Sequence, residues 1–227
     1  MSDLAKELYE EMEKFPIISP HGHVDANLLA ENRNWEDAVE LLIRPDHYIT
    51  RMLFSQGISY EELKKPAKEV WQIFCDNWKI FAGTPSSVWL KEILNSLFDI
   101  DDLSEVSPEK SFAKINERLA SPEFKPLALF ERFNIEVLAT TDSTNDDLSA
   151  HKKLSEMDLP GRVIPTFRPD DVTDPARKDF KLALEKLGAQ TFADLISKIK
   201  ERRQYFKNSG ATATDHGIYS PQTLKMS

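Results

Sequence analysis

Two histidines separated by one residue, His21-Gly22-His23, follow the short apolar run Phe15-Pro16-Ile17-Ile18. If that run is a strand, period-two alternation sends both imidazoles to one side. Imidazole suits zinc and its neighbours, and two of them supply half of a tetrahedral shell. The bland alternative is a pair of surface histidines. A second polar group, Asp46-His47-Tyr48 with Arg51, lies in a segment of helical periodicity. His47 and Arg51 are one turn apart and share a face, which looks either into a cleft or into solvent. Three later runs also end in polar chemistry, at Thr141-Asp142, at Arg168-Pro169-Asp170 and at Asp215-His216.

The elements that must position these groups follow from periodicity. Residues 3–14 read as a helix and 15–20 as a strand. From Asn27 to Asn134 the pattern is helical throughout: Asn34 is placed to cap a helix carrying Trp35, Ala38, Val39 and Leu42, and Gly57 to stop one that starts near Asp46. Ser59-Tyr60-Glu61-Glu62 matches a capping box, and Ser107-Pro108-Glu109 sets Pro at a first helical position. Trp71, Phe74, Trp78 and Phe81, within Val70 to Phe81, are spaced for a helical core stripe. Strands are then expected over Ile135 to Asp142 and Arg162 to Asp170, and Ala211 to Gly217 closes the series. Helices are expected from Ser143 or Thr144 to Met157, from Asp174 to Leu187 and from Thr191 to Asn208. Short buried strands alternating with helices predict βα units and a parallel sheet, and reactive groups at the C-terminal ends of such strands are where a TIM barrel carries its site. The helical insertion after the first strand, on the order of a hundred residues, reads as a lid or wall.

Composition narrows the function. The net charge of -9, with no cluster of Lys and Arg, argues against a nucleic-acid partner but leaves room for a small anion held by one or two arginines. The single cysteine, Cys75, rules out an internal disulfide and reads as a buried helical thiol, with a catalytic thiol as the sharper alternative. The N-terminus lacks signal-peptide features and no apolar run reaches the roughly 18 residues of a membrane span, so a soluble cytoplasmic protein is expected.

Taken in order, His21-Gly22-His23, Asp46-His47-Tyr48 with Arg51, Thr141-Asp142, Pro165-Thr166-Phe167-Arg168-Pro169-Asp170 and Asp215-His216-Gly217 resemble the uronate isomerases of the amidohydrolase superfamily. The Pro-Thr-Phe-Arg-Pro-Asp string is the most specific part. The resemblance implies an aldose-ketose isomerase interconverting D-glucuronate with D-fructuronate and D-galacturonate with D-tagaturonate by proton transfer between C2 and C1. It implies His47, Tyr48 and Asp215 as catalytic groups, and His21 and His23 as ligands of a divalent metal such as zinc. Arg51, Arg168, Asp170, Asp142 and His216 are implied in binding the sugar acid. Arg168 or Arg51 would grip its carboxylate with a forked contact that Lys matches less well.

Blander roles stand beside several of these. Asp142 is equally suited to capping the next helix, Asp170 to fixing Arg168 by an ion pair, and Asp215 and His216 to supporting other ligands. His151, one turn after Asp147, reads as a packing or helix-surface residue.

The resemblance covers the family's N-terminal half. The expected fold is therefore α/β: strands one to four of an amidohydrolase-type (β/α)8 barrel, formed by residues 1–26 and 135–227, with residues 27–134 as the helical insertion. The carboxylate of the eighth strand, which completes the family's metal shell, lies outside this sequence, so weak metal occupancy is expected. Unpaired strand edges predict pairing with a second copy or with a separate C-terminal half. The alternatives are an inactive or sugar-acid-binding half-barrel and a metal-dependent hydrolase of the same superfamily.

Overall fold

The computed structural model describes residues 3–217, which divide into two compact units, 3–31 with 130–217 and 32–129. The first unit opens with α1 (Asp3–Met12), β1 (Ile17–Ser19) and α2 (Ala26–Glu31). The second is helical: α3 (Ala38–Leu42), α4 (His47–Ser55), α5 (Ala67–Asp76), α6 (Pro85–Phe98) and α7 (Pro108–Leu119), joined by 3-10 turns, with α8 (Pro126–Arg132) crossing the boundary. The first unit resumes with β2 (Ile135–Ala139), β3 (Asp142–Ser143), α9 (Ser149–Ser155), β4 (Arg162–Ile164), β5 (Phe167–Arg168), α10 (Asp170–Thr173), α11 (Phe180–Leu187) and α12 (Phe192–Asn208).

The helical unit is organised by the aromatic stripe. Trp71, Phe74, Trp78 and Phe81 are buried, with neighbouring ring centroids 5.4 to 6.0 Å apart. Each such side chain contributes on the order of 2–3 kcal/mol by leaving water. The two indoles keep polar partners, Trp71 Nε1 donating to Ser111 Oγ at 3.0 Å and Trp78 Nε1 to Asp102 Oδ1 at 2.9 Å. The stripe is not one helix, because α5 ends at Asp76 and a 3-10 turn carries Trp78 to Phe81. Cys75 is half-buried, and burial pushes its thiol up to about 12, which removes it as a nucleophile at neutral pH.

Local punctuation holds at some helix ends and moves at others. Ser107 caps α7, and Gly57 follows α4 with φ 90°. Asn34 does not cap: Asp37 Oδ1 takes the first N–H groups of α3, while Asn34 Nδ2 donates to the carbonyls of Leu119 and Ala120. Ser59 and Glu62 make the reciprocal bonds of a capping box, but around a 3-10 turn. In the first unit, α9 begins only at Ser149, because Asp146 and Asp147 accept N–H groups two residues ahead and hold the chain in turns. The helix expected from Asp174 is broken likewise. Pro175 forces Asp174 into extended backbone, and α11 starts at Phe180.

All strand pairing in the first unit is parallel. One sheet has the order β1-β2-β4, and a second pairs β3 with β5. The two long expected strands are each interrupted once, β2 from β3 and β4 from β5. Pro165 lacks an N–H and restricts Ile164, yet Thr140 N donates to Ile164 O and Asp142 N to Thr166 O, so the two chains stay side by side through the break. The run from Ala211 to Gly217 contributes one parallel bridge, Phe167 with Thr214, rather than a strand. Its end turns away because Gly217 N donates to both carboxylate oxygens of Asp170. The first strand also departs from expectation: Ile17 and Ile18 are 49% and 61% exposed rather than buried. Among the described residues, no helix is long and apolar enough to cross a membrane.

Candidate active site

The strand ends of the first unit gather one polar cluster. Arg168, the last residue of β5, donates from Nε to Asp170 Oδ2 at 2.7 Å, and Asp170 is fixed in turn by Gly217 N. A terminal nitrogen of Arg168 lies 3.7 Å from Asp215 Oδ2, and His21 Nδ1 lies 3.3 Å from the same oxygen. The rings of His21 and His23 meet edge to face, with centroids 4.9 Å apart. Five predicted residues, His21, His23, Arg168, Asp170 and Asp215, therefore share one surface. His216 is exposed beside them in the chain.

The ion pair foreseen for Asp170 is present. It consumes one edge of the Arg168 guanidinium and orients the remaining donors. Asp215 Oδ2 is buried yet makes no directed hydrogen bond, although the Arg168 guanidinium and the His21 imidazole approach it. Such an atom suits a cation or a transferable proton. The metal-donor chemistry is thus present in two imidazoles and a carboxylate, but among the described residues no three His, Cys, Asp or Glu stand together in a ready metal-holding set.

In the helical unit, Asp46 is the N-cap of α4, its Oδ1 accepting from Tyr48 N at 2.8 Å and Ile49 N at 3.2 Å. This cap puts His47 and Tyr48 on the first turn. Ile49 and Leu53 face the core, which leaves His47, Tyr48 and Arg51 exposed. The rings of His47 and Tyr48 stack at a tilt, with centroids 4.2 Å apart.

Asp142 is not a helix cap. It is buried, and its Oδ2 accepts from Thr140 Oγ1 at 2.7 Å and from Thr166 N at 3.1 Å. The Thr140 hydroxyl also meets His151 Nε2 at 2.8 Å. A hydroxyl has one proton, so with Thr140 donating to the carboxylate, His151 donates through Nε2. Its Nδ1 is then a buried lone pair without a partner, and His151 lines a small pocket together with Asp25, Asp146 and Asp147. Burial lowers the His151 pKa against the opposing pull of Asp142, Asp146 and Asp25, and burial raises that of Asp142. Thr140 was missed by sequence reasoning, and Thr141 and Thr166 were singled out there without a role of their own.

The His151 shift has a pH consequence. The unfolded imidazole takes its proton near the ordinary 6.5, before the folded one does. The stabilisation from keeping it neutral is complete above that value and is lost as pH falls towards the lower folded value. Denaturant melts at pH 7.5 and 5.5 should show a smaller acid loss in His151→Gln, whose amide can still donate to Thr140. An equal loss in both proteins would contradict this assignment.

Parallel strands alternating with helices, with carboxylate, imidazole and guanidinium groups gathered at the strand ends, define the class: an α/β domain with a candidate site at the C-terminal edge of its sheet. The glucuronate isomerase family profile matches residues 1–227, and the chain belongs to that family. It is 44% identical to the uronate isomerase of Rhizobium meliloti (strain 1021), over 98% of this chain and 51% of that protein. It is 40% identical to the uronate isomerase of Phenylobacterium zucineum (strain HLK1), over 99% of this chain and 50% of that protein. Among solved structures, the glucuronate isomerase from Caulobacter crescentus superposes with a TM-score of 0.87 at 36% identity, over 98% of this chain and 50% of that one. The uronate isomerase from Thermotoga maritima gives 0.88 at 27% identity, over 100% and 52%. The chain spans about half the length of the curated relatives it matches.

Proposed function

We propose that this chain supplies the N-terminal half of a uronate isomerase site, interconverting D-glucuronate with D-fructuronate and D-galacturonate with D-tagaturonate. The observation that carries the proposal is the cluster of Arg168, Asp170, Asp215, His21 and His23 at the parallel strand ends. Arg168, held on one edge by Asp170, offers its other donors to the sugar carboxylate. Asp215 is the carboxylate suited to moving a proton between C2 and C1, with its Oδ2 free of a directed bond. His47 and Tyr48 serve ring opening and proton relay, and Arg51 and His216 contact the sugar acid. Asp142 acts as a buried support of the site rather than a substrate group, given its bonds to Thr140 and Thr166.

His21 and His23 would hold a divalent ion, zinc by donor type, with Asp215 beside them. When bound, such an ion polarises sugar oxygens as a Lewis acid. The proposal includes a half-barrel organisation and a cytoplasmic setting. It also includes assembly with a second copy or a C-terminal half, supported by the exposed apolar side chains of β1. The test is an assay of the purified chain on D-glucuronate and D-galacturonate, with and without zinc. The proposal expects binding of the sugar acid by the chain, and ketose formation once the site is completed by assembly, both lost in Tyr48→Phe and Arg168→Lys. Neither turnover nor binding of either sugar acid would overturn it.

A further inference from the structure

Between the two imidazoles, the Gly22 carbonyl accepts a hydrogen bond of 2.7 Å from Thr141 Oγ1, a residue 119 positions away in the short link from β2 to β3. The triplet lies close against the end of β2: a Cβ at Gly22 would stand 3.3 Å from the Ala139 carbonyl and 3.8 Å from Leu138 Cδ1. The strand end is itself immobilised. The hydroxyl of Thr140, the residue before Thr141, is locked by Asp142 and His151. Backbone bonds from Thr140 and Asp142 to Ile164 and Thr166 prevent it from sliding. Downstream of the triplet, α2 packs on α9, and Lys153 Nζ donates to the Ala30 carbonyl at 2.6 Å.

We propose that Thr141 is the positioning residue of the His21-Gly22-His23 turn. Its hydroxyl fixes the Gly22 peptide, and with it the mutual orientation of the two imidazoles. A supporting hydrogen bond to the chain between two donors does for the pair what outer-shell partners do for metal ligands in general. The inference rests on the reading of the pair as ion-holding, and its test separates the two.

Thr141→Val removes the hydroxyl at nearly constant volume, and Thr141→Ser retains it. Zinc titration of the purified chain by calorimetry should show affinity at least tenfold weaker in the valine variant and within about threefold of the parent in the serine variant. The histidine ring signals of the zinc-free chain, followed by NMR, should shift in valine and return in serine. Thr141→Ala takes the place of valine if that variant does not fold. Unchanged zinc affinity and unchanged ring signals on loss of the hydroxyl would overturn the proposal. A parent chain that binds no zinc would count against the ion reading alone, because the ring signals still report whether Thr141 orients the pair.

Discussion

Replacing Gly161 by alanine should destabilise the parallel sheet by about 3 kcal/mol or prevent folding altogether, at the upper end of what overpacking costs. A Cβ at this position would lie 2.1 Å from the Ile135 carbonyl oxygen and 2.7 Å from that of Glu136. Both atoms are backbone of β2, the middle strand of its sheet, so no side chain can rotate out of the way. Relief requires β4, which starts at the next residue, to move off β2, and that movement breaks the ladder from Val137–Arg162 to Ala139–Ile164. Gly83→Ala is the comparison. There the space is open and only a φ of 77° disfavours a side chain, for a cost of about 1 kcal/mol. Urea denaturation of the two variants beside the parent checks the ranking. Equal stability of Gly161→Ala and the parent would show that the approach of Gly161 to β2 is wrongly drawn.

The second large effect is expected at Arg168. Its Nε is committed to Asp170 and a terminal nitrogen approaches Asp215, so the guanidinium is oriented before any ligand arrives. A lysine ammonium has neither the second edge nor the planar fork, and it must choose between Asp170 and an incoming carboxylate. On the proposed function, Arg168→Lys in the completed site should therefore lower kcat/KM for either uronate by about 30-fold or more, equivalent to about 2 kcal/mol of lost transition-state binding. The fold should survive, since Arg168 is partly exposed and its charge is retained. Steady-state kinetics measured beside a denaturant melt separates the two effects. A kcat/KM within threefold of the parent would remove Arg168 from substrate binding.

What could be read from the sequence was what repeats locally. The Trp71 to Phe81 stripe was legible as core from its spacing, and the rings do pack together, although a 3-10 turn rather than a continuous helix carries Trp78 and Phe81. The parallel arrangement was legible from apolar runs alternating with helices. The interruptions were not: where β2 gives way to β3 depends on Ile164 and Thr166 on either side of Pro165, each 24 residues from its partner. Asp142 illustrates the same limit. Its type and its place at a strand end suited a cap or a substrate contact, and only the fold brings Thr140, Thr166 and His151 around it. Gly161 reads as an ordinary turn residue after Pro160, and nothing local announces that β2 passes within touching distance.

The central claim is that these strand ends carry the N-terminal share of a uronate isomerase site. It is tested most directly by fusing this chain to the C-terminal half of the Rhizobium meliloti uronate isomerase, to which it is 44% identical where they match. Ketose formation from D-glucuronate and D-galacturonate is then followed in the presence of zinc. The account predicts conversion by the fusion and its loss in the same fusion carrying Arg168→Lys. A folded, soluble fusion that converts neither sugar acid would contradict it.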